Sequence, residues 1–128
     1  MSEPVDPVHH TPAGWHTVTP RIVVDDVRGL VEFVSFVFGA TGTYELAAPS
    51  ILTIGDSIVM VSETGPRGAQ SAFLYVYISD LDATYRRALE RGARSIEAPF
   101  VTPYGDRRCM VEDHWGNLWQ IATYTRKR

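Results

Sequence analysis

Two stretches of this sequence share one pattern, and that pattern decides the fold. The first is VTPRIVVDDVRGLVEFVSFVFGA, residues 18–40, and the second is FLYVYISDLDATYRRALERGA, residues 73–93. Each opens with β-branched or aromatic residues, passes an aspartate suited to capping a helix, continues with apolar residues at helical spacing and ends near a glycine. The capping aspartates Asp26 and Asp80 are 54 positions apart (80 − 26). A tandem repeat is therefore predicted.

Three short strands are predicted after each helix. The β-rich runs lie at about 42–47, 50–55 and 57–63, and again at about 94–97, 107–112 and 117–124. Each half is therefore expected to form a βαβββ module, at about 15–66 and 70–125. One helix covers only one face of a sheet, so we expect the modules to curl their open faces together. The predicted fold class is α+β, with tandem βαβββ modules forming a curved mixed sheet around a cleft.

Composition limits the functional classes. The chain has 128 residues and 14.3 kDa, which suits one domain at 15–128 preceded by a flexible, proline-rich arm at 1–14. Its net charge of −3 argues against a nucleic-acid partner. A single cysteine, Cys109, suits a reducing compartment, and no apolar run reaches the ~18 residues that cross a membrane. We therefore expect a cytoplasmic protein with no membrane partner.

Residues 19–40, 73–93 and 103–124 resemble the vicinal oxygen chelate superfamily, which includes glyoxalase I, bleomycin resistance proteins and extradiol dioxygenases. The YGDR turn at 104–107, followed by V-x-D-x-x-G-N-x-W at 111–119, is most similar to the PhnB-like branch. The resemblance implies the glyoxalase/bleomycin resistance fold. It also implies either a ligand-binding protein or a metal-dependent enzyme, because this scaffold carries both.

The same resemblance implies where a metal would bind, because the metalloenzymes place His or Glu ligands on the first and last strands of each module. Those positions fall here at Thr19, Met60, Phe73 and Gln120. These side chains supply one weak oxygen donor, so we predict no metal at this place and no cofactor. The alternative is a relocated divalent metal site, built from His16, Gln120 and either Glu45 or Glu63.

Strand alternation predicts the lining of the cleft. Aromatic side chains with a few polar groups are typical of small-molecule sites, and an arginine in such a wall requires an anionic or aromatic partner. The alternatives are that the aromatics fill the core between the sheets and that Arg21 pairs with Asp56 or Glu45. The predicted ligand-binding residues are Thr19, Arg21, Met60, Phe73, Tyr75, Tyr77, Leu118 and Gln120.

Residues 105–108, GDRR, are interpreted as a turn that enters an exposed strand. Cys109 has no histidine beside it in sequence, so a nucleophilic role is not expected. No pair of carboxylates suited to acid–base catalysis can be placed in the cleft. Nothing in the sequence therefore assigns a catalytic residue.

The function predicted here is a metal-independent protein that binds a hydrophobic or aromatic small molecule, as in drug sequestration. One alternative is a lyase, isomerase or dioxygenase of the same superfamily with a relocated divalent metal. Another is a member whose cleft has closed and which acts through protein contacts. We predict a homodimer, because clefts in this superfamily are commonly completed across a two-fold interface and the first helix is apolar around much of its circumference.

Overall fold

The computed structural model describes residues 10–125, so most of the predicted arm at 1–14 lies outside the described residues. Each half contains a sheet with its own helix. In the first half these are β1 (Arg21–Val24), α1 (Val27–Phe38), β2 (Ser50–Ile54) and β3 (Ser57–Glu63). In the second they are β4 (Phe73–Tyr77), α2 (Leu81–Glu90), β5 (Arg94–Val101), β6 (Asp106–Glu112) and β7 (Leu118–Tyr124).

The two halves repeat one connectivity. The first sheet has the order β1-β3-β2 and the second the order β4-β7-β6-β5. In each, the strand before the helix runs parallel to the last strand of the half, and the remaining pairs are antiparallel. The predicted α+β class and the repeat are confirmed. No helix within residues 10–125 is both long and apolar enough to cross a membrane.

The strand expected at 42–47 is reduced to one bridge between Thr41 and Thr53. Gly42 has a φ of 119°, and a Cβ there would lie 2.2 Å from the carbonyl oxygen of Ile51. The chain then continues through alanines and a proline, which are poor strand formers. The first module therefore forms a loop over 42–49 where the second forms a strand.

Helix α1 is covered within its own chain. Its apolar side chains are buried against β1, β2, β3 and α2. Phe33 meets the edge of Trp115, and the guanidinium of Arg91 lies 3.8 Å from the centre of the Phe36 ring. The expectation that α1 presents surplus apolar surface to a second copy is therefore wrong. The first sheet covers one side of α1, and α2 of the second module covers another.

Burial follows the predicted strand alternation. Ile22, Val24 and Trp119 are buried on the helix side, where Trp119 packs against Phe38 with ring centres 4.9 Å apart. Arg21 and the aromatic side chains of β4 lie on the opposite, open side. The helices thus leave one face of each sheet free.

A buried aspartate organises the turn between β6 and β7. The carboxylate of Asp113 accepts hydrogen bonds from the backbone N–H groups of Trp115 and Asn117, from the Asn117 amide and from the Trp119 indole, at 2.9–3.0 Å. The Asn117 oxygen accepts a bond of 2.8 Å from the N–H of Ala72, just before β4. The V-x-D-x-x-G-N-x-W motif therefore fixes this turn and ties β4 to it.

Candidate functional site

Three aromatic side chains project from the open face of the second sheet. Phe73, Tyr75 and Tyr77 alternate along β4 and keep 62%, 37% and 57% of their surface exposed. On the adjacent strand β7, Leu118 lies opposite Phe73 and Gln120 lies opposite Tyr75. We call these five residues the aromatic wall. Because Phe73, Tyr75 and Tyr77 are exposed, the alternative in which these aromatic side chains fill a core within the chain is wrong for the described structure.

The two tyrosine rings of the wall are held by one buried carboxylate. The hydroxyls of Tyr75 and Tyr77 donate to the same oxygen, Oδ2 of Asp106, at 2.6 and 2.9 Å. Asp106 is only 1% exposed, and its N–H donates to the hydroxyl of Thr102. The tyrosine ring centres lie 5.4 Å apart with planes inclined by 57°. The wall is therefore preorganised rather than loose.

A small residue on β7 allows this contact. Ala122 is fully buried and lies between Tyr77 on β4 and Arg108 on β6. Its methyl group leaves room for the tyrosine hydroxyls to pass over β7 and reach Asp106 on the third strand. Removal of the Tyr75 phenol from solvent, together with its bond to Asp106, raises the pKa of Tyr75.

Arg108 places a positive charge beside the wall. Its guanidinium donates to the Tyr104 hydroxyl at 2.6 Å, lies 3.4 Å from a Glu97 carboxylate oxygen and sits 5.1 Å from the centre of the Phe100 ring. Asp106 Oδ1 and Arg108 Nε are buried without a hydrogen-bond partner. The interpretation of GDRR as a turn that enters a strand agrees with the start of β6 at Asp106, but the expected exposure of that strand is wrong, because Asp106 is buried and Arg108 is half-buried, and together they form the polar floor of the aromatic wall.

A cavity of about 280 Å³ lies along β4 between the two modules. The first module contributes Pro20, Val59 and residues 54–57, which include Asp56, and the second contributes residues 74–77. Tyr75 and Tyr77 therefore border both this cavity and the open wall. The mainly apolar lining suits an uncharged ligand group.

The other predicted residues lie on the first sheet. Arg21 faces Met60 across the β1–β3 register, and Thr19 precedes β1. Arg21 lines a second cavity with Glu45 and Glu63, and no residue of the aromatic wall is in that lining. The structure thus groups the predicted residues into two sets, one on each sheet, and neither cavity described here is lined by both.

A family model for the Glyoxalase/Bleomycin resistance protein/Dioxygenase superfamily matches residues 9–121. The chain belongs to this superfamily. The crystal structure of TioX from Micromonospora sp. ML1 is similar to it, with a TM-score of 0.72 and 26% identity over 85% of this chain and 98% of that one. A superfamily enzyme from Burkholderia phytofirmans PsJN shares the fold at a TM-score of 0.70 and 19% identity, over 83% of this chain and 96% of that one.

Curated relatives of this superfamily member come from mycobacteria. The uncharacterized protein Rv0887c of Mycobacterium tuberculosis is 25% identical over 128 residues, which cover 86% of this chain and 75% of that protein. An uncharacterized protein of Mycobacterium bovis, Mb0911c, is also 25% identical, over 86% of this chain and 84% of that protein. These comparisons establish the superfamily. They do not distinguish a ligand-binding protein from an enzyme.

The residues at the superfamily's metal positions do not fit a metal. Met60 and Phe73 offer no oxygen or nitrogen donor, and Thr19 and Gln120 offer only neutral oxygens on different sheets. Within residues 10–125, no three His, Cys, Asp or Glu side chains lie together in a way that could hold a metal ion. His16 lies 3.2 Å from the carbonyl oxygen of Asp56, and it lines a different cavity from Glu45 and Glu63.

Burial makes Cys109 a poor nucleophile. Its side chain lies on the helix side of β6, and loss of solvent raises the pKa of the thiol to about 12. The sequence-based expectation for Cys109 therefore agrees with its surroundings.

The polar floor could have been found by extending the sequence argument by one step. The turn at 113–116 fixes the β6–β7 hairpin, in which Met110 lies opposite Gln120 and Arg108 opposite Ala122. Alternation then places Asp106 and Arg108 on the face that carries Gln120. Because Asp106 is followed by two arginines, the sequence reads as an exposed segment, and the position of Asp106 on the wall face is easily missed.

Proposed function

We propose that this superfamily member binds a planar hydrophobic or aromatic small molecule on the aromatic wall, without a metal ion. The observation that carries this proposal is the exposure of three aligned aromatic side chains, two of which are fixed in place by the buried Asp106 carboxylate. Preorganised rings lose little conformational entropy when a ligand stacks on them. The apolar cavity beside β4 would receive a substituent of the same ligand.

The finer placement in the PhnB-like branch is part of this proposal. It is supported by the similarity of two sequence motifs to that branch, the YGDR turn at 104–107 and V-x-D-x-x-G-N-x-W at 111–119. In this chain the first motif leads into the polar floor and the second fixes β4. The first motif thus contributes hydrogen bonds beside the aromatic wall, and the second holds β4, the strand that carries the three aromatic side chains. Cytoplasmic localisation stays a prediction from the sequence.

Fluorescence titration with Nile red, an uncharged planar dye, tests the binding proposal. We expect saturable binding that Phe73→Ala weakens by about three- to tenfold, because one aromatic contact contributes about 0.5–1.5 kcal/mol. The matched control is Leu89→Ala, which removes an exposed apolar side chain from α2. Equal affinities for both variants, or a stoichiometric divalent metal in protein purified without chelator, would contradict the proposal.

We further propose that a second copy of the chain closes over the outer part of the wall as a homodimer. The exposure of Phe73 and Tyr77 supports this proposal in place of the apolar surface of α1. Light scattering at micromolar concentration should then give twice the chain mass of 14.3 kDa. Phe73→Arg, which places a charge at the interface, should shift the protein towards monomer, and a monomeric wild type would refute the dimer.

A further inference from the structure

The buried carboxylate beneath the aromatic wall has no counter-ion in the described part of the chain. Asp106 is 1% exposed, and within residues 10–125 it makes no ion pair. Arg107, its neighbour in sequence, pairs instead with Asp82 on α2. We propose that the aromatic wall selects planar cations over neutral ligands of the same shape, and that Asp106 sets this preference. The inference rests on the proposed function, because it names the class of ligand that the same wall binds.

Two tyrosine rings connect this carboxylate to the surface of the wall. The hydroxyls of Tyr75 and Tyr77 donate to Oδ2 of Asp106 at 2.6 and 2.9 Å. A hydrogen bond to an anion polarises the donor, so each phenol ring gains electron density. The face of an aromatic ring is already its negative part, and a cation over that face is attracted to it. Both rings therefore attract a stacked cation more strongly than a tyrosine that donates to water.

The strand order leaves the ring faces accessible. Tyr75 and Tyr77 start on β4, whereas Asp106 lies two strands away on β6, so the rings extend across β7 to reach it. A ring that extends over a sheet turns one face towards the sheet and the other away from it. The exposed fractions of 37% and 57% agree with this placement. A planar ligand can thus stack on the outer faces without contact with the carboxylate itself.

The positive charge of the polar floor is already partnered. The guanidinium of Arg108 lies 3.4 Å from a carboxylate oxygen of Glu97 and donates to the Tyr104 hydroxyl. The charges of Arg108 and Glu97 offset each other locally, because opposite charges at this distance cancel most of each other's field. Asp106 is therefore left as the uncompensated charge of the floor.

The cavity along β4 does not supply a positive charge either. Asp56 contributes a carboxylate to its lining, and none of the described residues that line it is basic. The field at the wall thus has a negative sign from two directions, which favours a cationic ligand. An uncharged substituent of that ligand enters the mainly apolar cavity, while its charged ring stays outside on the wall.

Nile blue and Nile red form a matched pair of probes, because they share a planar benzophenoxazine ring system and only Nile blue is cationic at neutral pH. Fluorescence titration of the full-length protein with each dye gives the ratio of the two Kd values. We expect Nile blue to bind about three- to tenfold more tightly than Nile red, as a cation–π contact predicts. Equal affinities, with saturable binding of Nile red, would overturn this inference and leave the proposed function intact. Absence of saturable binding of either dye would overturn both.

Asp106→Asn assigns the preference to the buried carboxylate. The substitution keeps the size of the side chain and one acceptor oxygen but removes the charge, so the two dyes should bind with about equal affinity. Asp82→Asn makes the same change in net charge on α2 and should retain the preference for Nile blue. A preference that persists in Asp106→Asn, or that falls equally in both variants, would overturn the inference, because the overall charge of the protein would then attract the dye.

Glu97→Gln provides a second variant that leaves the tyrosine hydrogen bonds in place. The Glu97 side chain is 33% exposed, so the substitution places no additional polar group in the core. It leaves the charge of Arg108 unmatched beside Asp106, and the preference for Nile blue should fall by about two- to fivefold. An unchanged preference would overturn the inference, because the local balance of charge on which it depends would then have no effect on the ligand.

Discussion

Asp113→Ala should lower the free energy of unfolding by about 3–5 kcal/mol, because it removes the acceptor of four hydrogen bonds at a buried position. Two of the abandoned donors, the Asn117 amide and the Trp119 indole, belong to fully buried side chains. Water cannot reach them without opening the turn. Thermal unfolding should show a fall in Tm of more than about 10 °C.

A surface carboxylate provides the control for Asp113. Asp25→Ala removes an exposed group that accepts one bond, from the Thr64 hydroxyl, and should cost about 1 kcal/mol. Chemical denaturation of both variants gives the comparison directly. Similar losses of stability would show that the Asp113 turn does not anchor the β6–β7 hairpin and β4. Partial unfolding of β4 alone in the Asp113→Ala variant would support the link through Asn117 and Ala72.

The repeat and the strand faces were predictable because they depend on local spacing. The bounds of α1 follow from Asp26, whose carboxylate accepts a bond from the N–H of Gly29, and from Gly39, which has a φ of 66°. Alternation at period two placed Phe73 and Tyr75 on the open face without knowledge of any contact. These predictions needed only the geometry of single elements.

Predictions that needed strand order or chain crossings failed. Asp106 reaches Tyr75 across an intervening strand, so its role depends on the order β4-β7-β6 and on the small size of Ala122. The loop at 42–49 depends on the close approach of Gly42 to Ile51. Alternation along the β6–β7 hairpin places Asp106 on the face that carries Gln120, but its contact with Tyr75 depends on which strand lies next to which. The close approach of Gly42 to Ile51 leaves no periodic pattern at all.

The predicted site residues fall into two separate sets for the same reason, because their grouping depends on how the two sheets are arranged. Alternation shows that Arg21 and Tyr75 each lie on an open face, yet it does not show that the faces of different sheets meet. In the described structure each set has its own cavity, and their chemistry differs. The first sheet presents charges and the second presents aromatic rings. The two halves of one repeated scaffold therefore carry surfaces of different chemistry.

Asp106→Ala should weaken Nile red binding by about tenfold and lower the free energy of unfolding by about 2–3 kcal/mol, since both tyrosine hydroxyls lose their shared acceptor. The binding loss arises because the Tyr75 and Tyr77 rings regain rotameric freedom that a ligand must then remove. Asp106→Asn retains one acceptor oxygen and should recover part of the affinity. Fluorescence titration and chemical denaturation measure the two effects separately.

A double-mutant cycle distinguishes positioning from general destabilisation. If Asp106 acts by holding Tyr75, then Tyr75→Phe and Asp106→Asn should show a coupling free energy of about 1 kcal/mol in Nile red binding. Asp82→Asn is the matched control, because Asp82 pairs with Arg107, the neighbour of Asp106 on β6, and makes no bond to the wall tyrosines. Asp106→Asn should also bring the pKa of Tyr75 down towards its ordinary value, because the carboxylate contributes to raising it. If the two substitutions have additive effects on Nile red affinity and the pKa of Tyr75 does not change, Asp106 has only a structural role. If the two effects are coupled and the pKa of Tyr75 falls, the buried Asp106 carboxylate sets the geometry of the aromatic wall.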